Sequence, residues 1–243
     1  MGLKRKDLYL SASIVGLILF ILFIFPFCVS ASQDIFFEPS LSGGYTLEST
    51  GEVHPYWRIG LDTYYHIKGP ISLAAGAGYA KYHFSYTVLT LNGILADPIQ
   101  SNKDANETKT DLYITGQYSL FENERWKVRL DLGFRDLLLL NDFKNFNIKG
   151  PLAGMEIERY ISDSLLLRLK GSAAYDINGV TSRSIAFGKE SSILYDPSFL
   201  LDYLATLDFK IGFGIVGIGY EGGLINFTFI NRYYHGLTLR LLF

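Results

Sequence analysis

The sequence is short of cysteine, of net charge and, past its first thirty-odd residues, of any long apolar run. Its single cysteine, Cys28, excludes a disulfide within the chain. Lys and Arg number 22 against 24 Asp and Glu, a net charge of -2, which leaves no basic field for nucleic acid as a partner. Ala and Leu do not dominate as they would in a helical bundle. Neither the 4 histidines nor the carboxylates cluster at metal-ligand spacing. The glycine stretches GYEGG and GAGYA lack the Lys and Ser/Thr of a phosphate loop. No metal or cofactor is expected. What the chain does have is 17 Tyr, 18 Phe and 24 Gly, the profile of aromatic-rich strands separated by glycine bends.

The N-terminus stands apart. KRK at Lys4 to Lys6 precedes an apolar stretch from Leu8 to Phe27, followed by CVSAS with small residues at Val29 and Ala31. This is the charged, hydrophobic and cleavage pattern of a secretory signal peptide, with cleavage expected after Ala31. Residues 1–31 are then the signal and 32–243 one domain. The apolar stretch is long enough that an uncleaved membrane anchor is the alternative. Cys28 follows FPF, a poor lipoprotein context, and leaves with the signal; a thiol-free mature chain is consistent with an oxidising compartment.

From Asp34 onward apolar residues recur at every second position, the period of strands with two chemically different faces. In RWKVRLDLGFRD, Trp126, Val128, Leu130, Leu132 and Phe134 alternate with Lys127, Arg129, Asp131, Gly133 and Arg135. Ten such segments are predicted: 37–49, 56–67, 71–86, 110–121, 125–137, 148–160, 164–177, 199–212, 214–224 and 229–243. Tight turns at KGP, NE, SDS and Gly212 to Gly214 alternate with longer connections, of which 87–109 and 178–198 are long and polar. Successive antiparallel strands with the long connections on one side require an even strand count, ten here, with eight the alternative.

A soluble β-sandwich alternates too, with its apolar face inside. Three features favour a barrel in a membrane. The polar face carries small residues, Gly76, Gly78, Ala80, Gly217 and Gly219, which a crowded interior of tilted strands accepts. Aromatic residues gather near segment ends, where interfacial girdles lie. A signal peptide sends the chain across a membrane. The fold class predicted is all-β, a closed antiparallel up-and-down transmembrane barrel, because a sheet in hydrocarbon must pair all its edges. The ending YHGLTLRLLF, with Tyr234, Gly236, Leu239, Leu241 and Phe243, resembles the C-terminal assembly signal of small bacterial outer-membrane β-barrels. That resemblance implies an outer-membrane location, outer-membrane lipid as surroundings, and recognition of the last strand by the barrel assembly machinery.

In this register the interior receives Arg58, Lys127, Arg129, Arg135, Arg168, Lys170, Lys210, Arg232 and Arg240. Against them stand Glu38, Asp62, Asp131, Glu156, Glu158, Asp176, Asp202, Asp208 and Glu221. A ten-stranded lumen is narrow, and charges of matched sign are expected to interlock and plug it. Three functions follow. The first is a structural, adhesion-type or surface-interaction protein presenting connections 87–109 and 178–198 to an external ligand, since loops on a rigid scaffold carry recognition. The second is a pore for small polar solutes or, with Leu137 to Leu140 as an apolar rim, for hydrophobic compounds. The third is a lipid hydrolase: His83 and Ser85 in YHFSY share a strand face, a spacing similar to that in outer-membrane lipid A deacylases, although that family's motif continues with an Asn and lies late in the chain. The resemblance to ten-stranded outer-membrane proteases is by strand number alone, with no carboxylate and His constellation at the outer rim. His54 is expected in a short outer loop, His66 near a periplasmic end and His235 toward lipid. They converge on no common site, as a general base and its partners must.

Overall fold

The computed structural model describes residues 35–48, 53–90, 99–141, 144–177, 180–186, 189–195, 199–212, 214–227 and 230–243. Residues 1–31, expected to be a signal peptide, fall outside the described residues. Twelve strands are present: β1 Ile35–Glu48, β2 Val53–Lys68, β3 Ile71–Thr90, β4 Ile99–Glu122, β5 Trp126–Asn141, β6 Lys144–Ser162, β7 Leu165–Tyr175, β8 Val180–Ala186, β9 Lys189–Tyr195, β10 Phe199–Ile211, β11 Gly214–Phe227 and β12 Ile230–Leu242. Ten of them, β1 to β7 and β10 to β12, close into an antiparallel barrel, because β1 pairs β12 at one seam and β5 pairs β6 at the other.

The connections reflect local sequence. Gly69, at φ 59, makes the β2–β3 turn in the left-handed conformation that only glycine adopts without strain. Asn123 Oδ1 accepts hydrogen bonds from the amides of Arg125 and Trp126, both at 2.8 Å, and so pins the β4–β5 turn. Tight turns and both described chain ends lie at one end of the barrel, called here the turn end; the opposite end carries the long hairpins. Two polar connections expected as loops are instead strand. Most of 87–109 extends β3 and β4, and 178–198 holds the β8–β9 hairpin, which joins the sheet through Lys144 and Asn145 of β6. Backbone pairing, which polar side chains do not prevent, overrides the missing alternation here.

The two faces settle the choice between sandwich and barrel. Leu237 is 70% exposed, Leu132 58% and Ile114 57%, whereas Glu156 and Lys109 are each 1% exposed. Apolar residues cover the outside and charges fill the inside. Close contact across the wall depends on glycine at Gly133 and Gly219, where an added Cβ would collide with the carbonyl oxygens of Ile114 and Ala205.

Candidate functional site: the barrel lumen

Among the described residues, inward positions of every barrel strand except β3 contribute to two clusters of ion pairs. Nearer the turn end, Arg168 of β7 is the hub. Its guanidinium donates to Glu38 at 2.6 Å, lies 2.9 Å from Asp208, and approaches Glu156 and Glu158 at 3.6 and 3.9 Å. Arg129 donates to Glu156 at 2.8 Å and also to Glu158. Arg240 of the last strand pairs with Glu38 and, at 3.2 Å, with Asp62. Neighbouring carboxylates Glu156 and Glu158 come within reach of the same cations because residues two apart on a strand share a face.

The second cluster lies higher. Arg135 grips Asp111 with two donors, Nε to Oδ1 at 2.7 Å and Nη2 to Oδ2, and turns Nη1 to Asp202, which also accepts from the Tyr234 hydroxyl. Glu221 accepts from Arg58 and from the Tyr56 hydroxyl, each at 3.3 Å. Lys109 sits 3.8 Å from Asp111 and 4.9 Å above the Tyr234 ring. Arg232 pairs with Glu107. Buried charges persist where this kind of pairing and hydrogen bonding surrounds them.

Between the clusters lies a chamber of about 90 Å³ lined by Ser40, Asp62, Tyr113, Asp131, Lys170 and Thr238 among others, with room for roughly six waters. Asp131 accepts from Gln117 at 2.9 Å. Lys170 makes no direct ion pair among the described residues; it lies within electrostatic reach of Asp131 and Glu156 and faces the rings of Tyr113 and Tyr64 at 5.7 and 6.0 Å. A vestibule of about 380 Å³ opens at the turn end, lined by Tyr64, Lys127, Glu158, Tyr160 and Lys210 among others. At the hairpin end, alongside Lys109 and the Arg232–Glu107 pair, Leu137, Leu139, Ile148, Leu200 and Ile225 belong with Tyr82 to a buried apolar cluster.

The expected interior set thus gathers in the lumen, with three corrections. Lys210 lies exposed at the vestibule and makes no ion pair among the described residues, because it is only one residue from the end of β10. Glu107, Lys109 and Asp111 belong to the interior but were not expected there; Glu107 and Lys109 fall in a stretch read as loop because its outward alternates, Asn106, Thr108 and Thr110, are polar. Leu137 and Leu139 point inward as part of a sealed core rather than forming an outward rim or an entrance.

The histidines are scattered. His54 is not in a loop but in β2, buried and opposite Thr46 of β1, whose hydroxyl donates to its carbonyl at 3.3 Å. His66 is exposed at the turn end, 3.4 Å from the Ser72 hydroxyl. His235 packs outward on Tyr220, with ring centroids 6.2 Å apart. His83 and Ser85 lie on β3 opposite Asn106 and Asp104 of β4; their side chains fall outside the described residues. Among the described residues no group of three or more His, Cys, Asp or Glu could hold a metal ion.

At the C-terminus, Leu237, Leu239 and Phe243 face outward while Tyr234, Gly236 and Arg240 face inward. The Phe243 amide donates to Phe37 O at 3.0 Å and Phe37 N donates back at 3.2 Å, so the last residue clips the closing strand to the first.

The chain matches no family model and no curated protein. Solved structures similar to it include the outer membrane protease OmpT from Escherichia coli, at 12% identity over 88% of this chain and 97% of that one, with a TM-score of 0.54. The β-domain of the Bordetella autotransporter BrkA is similar at 9% identity, covering 87% and 99%, with a TM-score of 0.47. Neisserial surface protein A is similar at 12% identity, covering 86% and 95%, with a TM-score of 0.36. At such identities the likeness is one of fold, and that fold is the bacterial outer-membrane β-barrel.

Proposed function

We propose that this protein is an integral barrel of the bacterial outer membrane, exported by its N-terminal signal, with a lumen that does not conduct. It acts outward, as a structural, adhesion-type or surface-interaction protein. The observation carrying this reading is the filled lumen: two ion-pair clusters occupy it, and at the hairpin end buried apolar side chains pack around the Arg232–Glu107 pair and Lys109. A solute would have to break several buried pairs, each costly to separate, and displace the apolar side chains packed among them. The outside supports the location, since leucines, phenylalanines and tyrosines exposed all around a barrel are stable in hydrocarbon and not in water.

Ligand recognition then falls to the hairpins within 87–109 and 178–198, outer-membrane lipid surrounds the wall, and the assembly machinery reads β12. The narrower reading, a pore for small polar solutes, draws support from the vestibule and chamber. Lipid hydrolysis at His83 and Ser85 rests only on their shared strand. Planar-bilayer recording of the purified chain is the decisive test. No stable conductance step is expected, and a large steady one overturns the closed-lumen reading. Removing residues 180–195 should abolish attachment of expressing cells to their target surface while leaving the heat-modifiable gel migration of a folded barrel; unchanged attachment refutes the role of that hairpin.

A further inference from the structure

The most deeply buried large apolar side chains inside the barrel gather at its hairpin end. Leu137, Leu139, Ile148, Leu200 and Ile225 are between 0 and 2% exposed, and they pack alongside Lys109 and the Arg232–Glu107 pair above Arg135. On β4 to β6 polar residues enter the outer face at this height, Thr108, Thr110, Asp136 and Lys149, beside the outward Leu138 and Leu140; Asp136 and Lys149 are joined by a 2.8 Å ion pair on the outer surface. Toward the turn end the same strands reverse, with Ile114, Leu132 and Met155 outward and Asp131 and Glu156 inward. Hydrocarbon outside a barrel demands an apolar exterior, whereas water outside demands an apolar interior. At one height polar residues enter the outer face and large apolar side chains join the ions inside.

The height of that place follows from register. Paired positions lead from Leu137 through Asp111, Gly60, Arg240 and Asp208 down to Tyr160 near the turn end, so the strands are tilted. A level ring therefore climbs roughly one residue per strand against this path. The ring through Asp136 then meets Tyr79, Trp57, Tyr45 and His235, all outward. Trp57 and Tyr79 lie 5.7 Å apart, part of the aromatic band that marks a hydrocarbon boundary.

We infer that the outer edge of the bilayer's hydrocarbon crosses the barrel at the Asp136–Lys149 pair and this aromatic ring, and that the barrel above it stands in water around an interior of apolar side chains and paired ions. The extension holds the β3–β4 and β8–β9 hairpins clear of the lipid headgroups. This rests on the membrane reading given above, and the test separates the two. Full-length protein carrying Cys28→Ser receives one cysteine at a time, Asp136→Cys or Thr108→Cys above the boundary and Leu132→Cys or Ile114→Cys below it. Each variant is reconstituted in phosphatidylcholine vesicles, with heat-modifiable migration confirming the fold. A water-soluble maleimide should react about tenfold faster at the upper pair, where no hydrocarbon shields the thiol. A bimane label at the lower pair should be quenched by bromine-labelled acyl chains, and one at the upper pair should not. Quenching at Asp136 and Thr108 as strong as at Leu132 overturns the inference and leaves the membrane barrel standing. No quenching at any of the four positions overturns the membrane reading itself.

Discussion

Replacing Arg168 with Met tests whether ion pairing holds the lumen together. The substitution keeps the length and packing of the side chain and removes its charge. Glu38 retains Arg240, and Glu156 and Glu158 retain Arg129; Asp208 is left with no cation among the described residues. Stranding one buried carboxylate costs about 3–5 kcal/mol. Arg168, Glu38 and Asp208 also line the vestibule, where water reaches, so the lower end applies: about 3 kcal/mol, or roughly a hundredfold in the folding equilibrium. Reversible urea unfolding in lipid vesicles, followed by the fluorescence of Trp57 and Trp126, reads this directly. Adding Asp208→Asn to the same chain removes the stranded charge and should restore most of the loss. A single variant within about 1 kcal/mol of the parent refutes the hub role. So does a double variant no more stable than the single.

Lys170→Met should cost less than Arg168→Met in the same assay, because Lys170 makes no direct ion pair among the described residues and attracts Asp131 and Glu156 only at longer range beside a wet chamber; a loss equal to that of Arg168→Met contradicts the assigned pairing. Gly219→Val should destabilise by about 2 kcal/mol or more, since its side chain would meet the Ala205 carbonyl and the Thr206 backbone, whereas Gly212→Ala, with nothing near, should be neutral. Equal unfolding midpoints for these two variants exclude the close-approach argument. Deleting Phe243 removes two backbone hydrogen bonds to Phe37, worth about 2 kcal/mol together in refolded protein. Assembly in cells should suffer far more than that if β12 is read by the assembly machinery, so matching losses in the two measurements rule against the signal.

Where the strand lies against hydrocarbon, the sequence was legible, because there the environment enforces a strict period of two. Trp126 to Arg135 alternates without error, and Leu165 to Tyr175 departs from alternation only at Leu166 and Ala174, which are apolar yet face inward. The reading failed where that constraint lapsed. In NETKTD, residues 106–111, both strand faces are polar, so an inward Glu107, Lys109 and Asp111 looked like loop. In LLLL, residues 137–140, both faces are apolar, and period alone could not say that Leu137 and Leu139 turn inward. The β8–β9 hairpin gave no signal because its pairing is by backbone, which side-chain composition records poorly.

Periodicity and composition by themselves determined ten strands, their antiparallel order and the division into a charged face and a greasy one, since each of these is a local property repeated along the chain. Partner choice belonged to the tertiary structure alone. Arg168 meets Glu38, 130 residues away, and Arg135 meets Asp202, 67 away, only once closure and stagger bring their strands around one narrow axis. The arrangement of ion pairs, chamber and apolar cluster along that axis was equally beyond the sequence, because height in a tilted barrel depends on the register of every strand at once.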